Sequence, residues 1–171
     1  AIEAGDLVPV QAFSVPLEGV SLQGIDFNKD TLSKDDAAKV AAAFKNETAL
    51  HQVAAVCVEK VARPALIFCA STEHAASLAC ILRERYGVRA EDTNCYHTDL
   101  VEDLDGKRVE RRDDTLARFK RGELDFLCNF SLLHTGVDAP RTRSVVFVHP
   151  QGRRRYVQAI GRVTRWCCAT A

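Results

Sequence analysis

The chain has 171 residues, 23 basic and 23 acidic side chains and a formal net charge of zero, with 27% charged and 47% hydrophobic residues. That length buries a core without help from disulfides or metal, the composition is ordinary for a soluble globular protein, and the balance excludes a uniformly basic coat. Charge is nevertheless segregated: from Arg141 to Ala171 there are seven arginines and no acid, and a polyanion senses such a face rather than the total.

No window approaches the roughly 20 apolar residues that span a bilayer, so a soluble protein is expected. No signal peptide is visible. Methionine is absent even at position 1, which reads as a trimmed or processed piece. The seven cysteines form no CxxC pair; several stand inside apolar runs, where a reduced thiol packs as a small hydrophobe. No metal site is expected, and the compartment is expected to be reducing and intracellular.

In chain order, residues 1–32 read as a connecting segment punctuated by Pro9, Pro16, Gly19 and Gly24, with QAFSV as one short strand. Residues 33–171 read as the domain proper. Ser33 followed by Asp36 is a helix start, and Ala37, Val40, Ala41 and Phe44 continue at helical spacing. A second helix is predicted from Thr48 to Val61, with Leu50, Val53, Ala54, Val58 and Val61 inward. ALIFCA, after Pro64, is short and wholly apolar, as suits a strand covered on both faces. Ser71 and Thr72 then cap the helix EHAASLACILRERY, which Gly87 stops. DTNCYH is the next strand, VERRDDTLARFKR a helix ending at Gly122, LDFLCNF a strand, GVDAPRT a loop, SVVFVH a strand, and RRYVQAIGRVTR the last helix. Strand and helix alternate, which predicts an α/β fold with a mainly parallel central sheet flanked by helices. Right-handed crossovers would gather the loops after the strands along one edge, where such folds bind ligands.

Chemistry concentrates in QAIGRVTR, Gln158 to Arg165. Arg162 and Arg165 are spaced to share a helix face, and forked guanidinium groups match phosphate oxygens. Gly161 allows close approach of a backbone or ligand. By itself an arginine-rich helix reads as a solvated face. Three upstream strings change that weighting: LIFCASTEHAASLA (Leu66 to Ala79), ERRDDTLARFKRGELDFLCN (Glu110 to Asn129) and LLHTGVDAP (Leu132 to Pro140).

In this order and spacing the four strings resemble motif IV, the arginine–helix–Phe–x–x–Gly–strand stretch, motif V and motif VI (QxxGRxxR) of superfamily 2 helicases. The likeness covers roughly residues 60–166 and is closest to the branch of XPB-like and type III restriction helicases and their DEAD/DEAH relatives. The opening AIEAGDLVPVQAFSV is similar to the stretch that joins two lobes in that branch. Two departures stand out: Thr135 where motif V often has glutamate, and CYHTD followed by VEDLDG where relatives carry a glycine.

The resemblance implies a three-layer RecA-like domain, the C-terminal half of an ATP-dependent DNA or RNA helicase or translocase. It implies that Arg162 and Arg165 are arginine fingers toward ATP and that Gln158 senses its phosphates. Asp138 would lie near the ribose, with a turn residue as its bland alternative, and Gly136 would meet a backbone need. Ser71, Thr72 and His74 at a helix start, with Asn129 and Ser131 at the motif V edge, would touch the nucleic-acid backbone; capping is the plainer role for the first two. Arg153, Arg154 and Arg155 suit phosphates or solvent equally. The cofactors implied are ATP and Mg2+, the latter held mainly by an N-terminal RecA-like lobe. These 171 residues contain neither GxxxxGK[ST] nor a DExx string, so the chain by itself is expected to hydrolyse no ATP. The alternative is a non-catalytic helicase-like scaffold or nucleic-acid-binding module, against which Gln158, Arg162 and Arg165 argue.

Overall fold

Short polar side chains set the helix starts in the computed structural model, which describes residues 10–27, 32–93, 100–102, 108–130 and 139–163. Helix α1 spans Lys34–Ala43; Ser33 Oγ caps it by accepting the Asp36 N–H at 3.1 Å. Helix α2 spans Glu47–Lys60, capped by Asn46 Oδ1 on the Thr48 N–H at 2.9 Å. Strand β1 is Ala65–Phe68, buried along its whole length. Helix α3 runs Thr72–Tyr86, and Gly87 stops it in the left-handed conformation at φ 63°. A side chain there would be strained, which is why glycine suits the position. Strand β2 is Ala90–Asp92. Strands β3 (Leu100–Glu102) and β4 (Arg108–Glu110) precede α4 (Arg111–Arg121). Strand β5 is Phe126–Asn129, β6 is Ser144–Phe147 and α5 is Arg153–Val163.

The four-stranded sheet has the order β2-β5-β1-β6, and every pair in it is parallel. Period-two alternation along β1 divides the core into two layers. Ala65 and Ile67, with Cys69 just beyond the strand, pack with Val40, Phe44, Val53, Cys57, Leu78 and Leu82 of α1–α3. Leu66 and Phe68 pack with Phe119 of α4 and Ala159 of α5. Helices on both faces of a parallel sheet make the three-layer α/β arrangement expected from the alternation of elements.

Residues 17–27 also lie on the α1–α3 side. Leu17, Val20, Leu22, Ile25 and Phe27 pack against that core. The Glu18 N–H donates to Gln52 Oε1 at 2.9 Å, and Asn46 Nδ2 donates to the Gly19 carbonyl at 3.3 Å. Asn46 thus caps α2 with its oxygen and ties down this segment with its nitrogen.

Three expectations need correction. QAFSV forms no strand. Val10, Phe13 and Val15 remain exposed, and an apolar groove of about 700 Å³ separates this run from β6, with Val56, Val146, Tyr156 and Ile160 among its walls. Strand composition without a paired edge leaves the run extended and unladdered. Where it is described, the strand predicted as DTNCYH lies earlier, β2 ending at Asp92; residues 94–97 of that string lie outside the described residues. Helix α4 begins at Arg111, two residues later than VERRDDTLARFKR predicts, because Val109 and Glu110 pair antiparallel with β3, Val101 facing Val109. The VEDLDG departure begins within β3, and residues 103–107 lie outside the described residues. Among the described residues no helix is long and apolar enough to cross a membrane.

Candidate functional site

Four parallel strands end on one edge, and backbone hydrogen bonds knit that edge just past the last paired residues. The Cys69 N–H donates to the Asn129 carbonyl at 2.8 Å, the Val148 N–H to Phe68 at 3.1 Å and the Thr93 N–H to Cys128 at 3.1 Å. The exits from β1, β5 and β6 are therefore held relative to one another by the ladder itself.

After β1 the chain passes through Ser71 into α3. Ser71 Oγ accepts the His74 N–H at 3.0 Å, so the predicted capping role is realised. Ser71 is half-buried, and Thr72 is exposed. First-turn amides of a helix and its dipole favour an anion at this end. Glu73 adds a carboxylate there, drawn toward Lys45 Nζ at 3.4 Å, so the first turn carries both signs of charge.

His74 points the other way. Its ring is 4% exposed and stands edge-on to Phe44, centroids 5.5 Å apart at 78°. Burial pulls its pKa down to about 4, because desolvation disfavours the imidazolium. Neither ring nitrogen has a hydrogen-bond partner among the described residues. His149, after β6, also lies near Phe44, with centroids 6.5 Å apart. Its Nδ1 is 2.8 Å from the Pro150 carbonyl. A carbonyl only accepts, so Nδ1 carries the proton and Nε2 can accept from Gln151 Nε2 at 3.1 Å.

Asn129 ends β5 with its side chain fully buried, and Nδ2 donates to the Ile67 carbonyl at 3.0 Å. Of the five residues expected at the nucleic-acid edge, the described structure therefore brings Ser71 and Thr72 to the surface. The side chains of His74 and Asn129 turn into the core, and Ser131 lies outside the described residues. The spacing that named these positions carries no information on side-chain direction. For Asn129 a signal existed: it sits in the apolar run FLCNF, in step with Leu127.

Helix α5 is seated on the α4 side of the sheet by Ala159, 1% exposed. Tyr156 packs on Phe147 with centroids 5.2 Å apart. Gln158, next to Ala159, is half-buried at this seam. Arg162 lies in the same helix, one turn beyond Gln158. Its side chain, and Arg165, Asp138 and Gly136, lie outside the described residues. A Cβ added at Gly161 would meet nothing within 4 Å, so no neighbour among the described residues demands glycine there. Chemically the edge offers a capped helix start, and α5 separately carries the Gln158 amide with the Arg162 position one turn beyond; such groups bind anions.

Residues 45–167 match the family model described as "Helicase conserved C-terminal domain", a span running from the α1–α2 turn past α5. Among solved structures the chain is similar to the crystal structure of the Pyrococcus furiosus Hef helicase domain. The identity is 19% and the TM-score 0.47, over 75% of this chain and 26% of that chain. The chain thus spans about a quarter of that structure's length. No curated protein matches the chain.

Proposed function

Because the chain belongs to the family of helicase conserved C-terminal domains, matched over residues 45–167, we propose that it serves as the second lobe of an ATP-dependent DNA or RNA helicase or translocase. In this reading Arg162 and Arg165 reach ATP held by a companion N-terminal RecA-like lobe, and Gln158 contacts its phosphates. Asp138 and Gly136 shape the ribose side. Ser71, Thr72 and the residues after β5, Ser131 among them, follow the nucleic-acid backbone.

The observation that carries the proposal is the seating of α5. Its apolar side, Tyr156 and Ala159, is fixed on the sheet, while Gln158 lies at the seam with Arg162 one turn beyond. Amide and guanidinium groups are the donors phosphate needs. Mg2+ is assigned to the companion lobe. Bound ATP would supply the phosphoryl group to be hydrolysed. The part of this chain is to place positive charge where negative charge builds up in the transition state. Arginine fingers contribute about 10³ to 10⁵ in rate, far beyond what helix packing or capping could mimic.

The test is Arg165→Ala in the protein that carries both lobes. ATP turnover should be abolished while ATP binding, read by a fluorescent analogue, persists. Unchanged turnover would reject the arginine-finger role and favour the non-catalytic scaffold.

A further inference from the structure

An open sheet edge carries unpaired N–H and C=O groups that invite another strand, so folds blunt or cover it. The two edges of this sheet differ. Strand β2, on one side, is three residues long and carries Glu91 and Asp92; charge on a short edge discourages pairing. Strand β6, on the other, consists of Ser144, Val145, Val146 and Phe147, with no charge and no proline. Its one strand partner among the described residues is β1, and all four residues are only half-buried.

The helices beside this edge overhang it. The groove of about 700 Å³ between β6 and residues 10–15 has Val56 of α2 in its wall, together with Tyr156 and Ile160 of α5. These two helices pack on opposite faces of the sheet. The next strand position is therefore lined with apolar side chains on both faces. A segment seated there would extend the ladder through its backbone and bury its side chains alternately under α2 and α5.

The charge of the groove is one-sided. Lys60 and Arg143 line it, and among the described residues no Asp or Glu does. Both cations are exposed, and neither has an ion pair among the described residues. They share one end. Lys60 is the last residue of α2, and the Arg143 N–H donates to the carbonyl of Pro64, just ahead of β1, at 2.8 Å. Both thus flank the side on which β1 and β6 begin. Lys60 has a bland use, since a cation suits the C-terminal dipole of α2; that use does not extend to Arg143. Residues 10–15 supply no counter-charge, because VQAFSV contains no acid, and Phe13 in that run stays 59% exposed. A second copy of β6 would bring only another Arg143.

We propose that this groove is a docking site for an extended segment of a partner protein, a short apolar run followed by acidic residues, which adds to the sheet antiparallel to β6. Antiparallel addition sets the later residues of the segment beside the start of β6, where Lys60 and Arg143 meet the carboxylates. The site is independent of the ATP reading above.

The experiment uses the full chain and a fluorescein-labelled peptide of four alternating valine and isoleucine residues followed by two glutamates, with binding read by fluorescence polarisation. Wild-type protein should bind it saturably. Arg143→Glu combined with Lys60→Glu should weaken binding about tenfold or more, and so should lysines in place of the peptide's glutamates. If Lys60→Glu unsettles the end of α2, Arg143→Gln alone makes the comparison. Two further peptides, N-methylated at the valines or at the isoleucines, remove backbone donors and keep the side chains. One set of amides faces β6, so one of these two peptides should fail to bind. Arg85→Glu, at an exposed position of α3 that does not line the groove, is the control and should keep wild-type affinity. No saturable binding overturns the proposal, as does equal binding of the parent and both N-methylated peptides. An equal loss in Arg85→Glu reduces the effect to overall charge and overturns it too. A chain that sediments as a dimer, and that the peptide dissociates, gives the groove to a second copy instead.

Discussion

At the scale of single residues, burial decides chemistry more than residue type does. His74 is a nitrogen-rich ring in an apolar place, and its pKa falls from 6.5 to about 4. Above pH 6.5 it is neutral in both the folded and the unfolded chain and does not affect stability. As pH falls from 6.5 toward 4 the unfolded chain takes up the proton and the folded one does not, so stability is lost across that window. The loss levels off below pH 4 at about 3 kcal/mol. Thermal unfolding followed from pH 7 to pH 4 should show this, and His74→Leu should flatten that part of the profile; parallel profiles would refute the assignment. Cys57, with its thiol pushed up to about 12 by burial, should resist alkylation at pH 7 because the thiolate is the reactive form. Cys80, which is exposed, should label well before Cys57 in a peptide-mapped iodoacetamide time course. Early labelling of Cys57 would mean that the α2–sheet seam opens readily.

Elements were legible where local pattern and tertiary packing agree. The run ALIFCA is apolar because β1 has neighbours on both edges and helices on both faces, so its composition reports its surroundings directly. Ser33, Ser71 and Gly87 mark helix ends because a cap is a local bond. Val109 and Glu110 were hidden because their role depends on β3, several residues away, and a three-residue strand leaves no periodicity of its own. QAFSV carries strand composition, yet a strand exists only when an edge accepts it. His74 and Asn129 were named from motif position, which carries no orientation, since a motif fixes where a residue stands and packing fixes where it points. Gly87 tests the local side of this account. At φ 63° with nothing within 4 Å of an added Cβ, Gly87→Ala is free of clash and carries only the backbone penalty. Chemical denaturation should show a loss of about 1 kcal/mol, and a neutral result would mean that the helix end relaxes.

For the whole molecule, a net charge of zero and a polyanion partner are compatible only if positive charge is gathered on one side. The seven arginines between Arg141 and Ala171 do this in sequence, and α5 gives part of them a common scaffold on one face of the sheet. Elsewhere arginines are engaged internally. Arg118 pairs with Glu91 and Arg89 with Asp125; of the seven, Arg141 is engaged too, donating to the Arg121 carbonyl at 3.0 Å. Arg153, exposed at the start of α5, has room to meet a phosphate. A phosphate contact releases counterions, whereas a solvated arginine releases none, so salt dependence separates the two roles. In the protein with both lobes, Arg153→Ala should lower the slope of log K against log salt by about one for a single-stranded oligonucleotide. Affinity should weaken to the same degree for oligothymidylate and mixed sequence, and Tm should be unchanged. An unaltered slope would assign Arg153 to solvent and leave the polyanion to the residues further along α5.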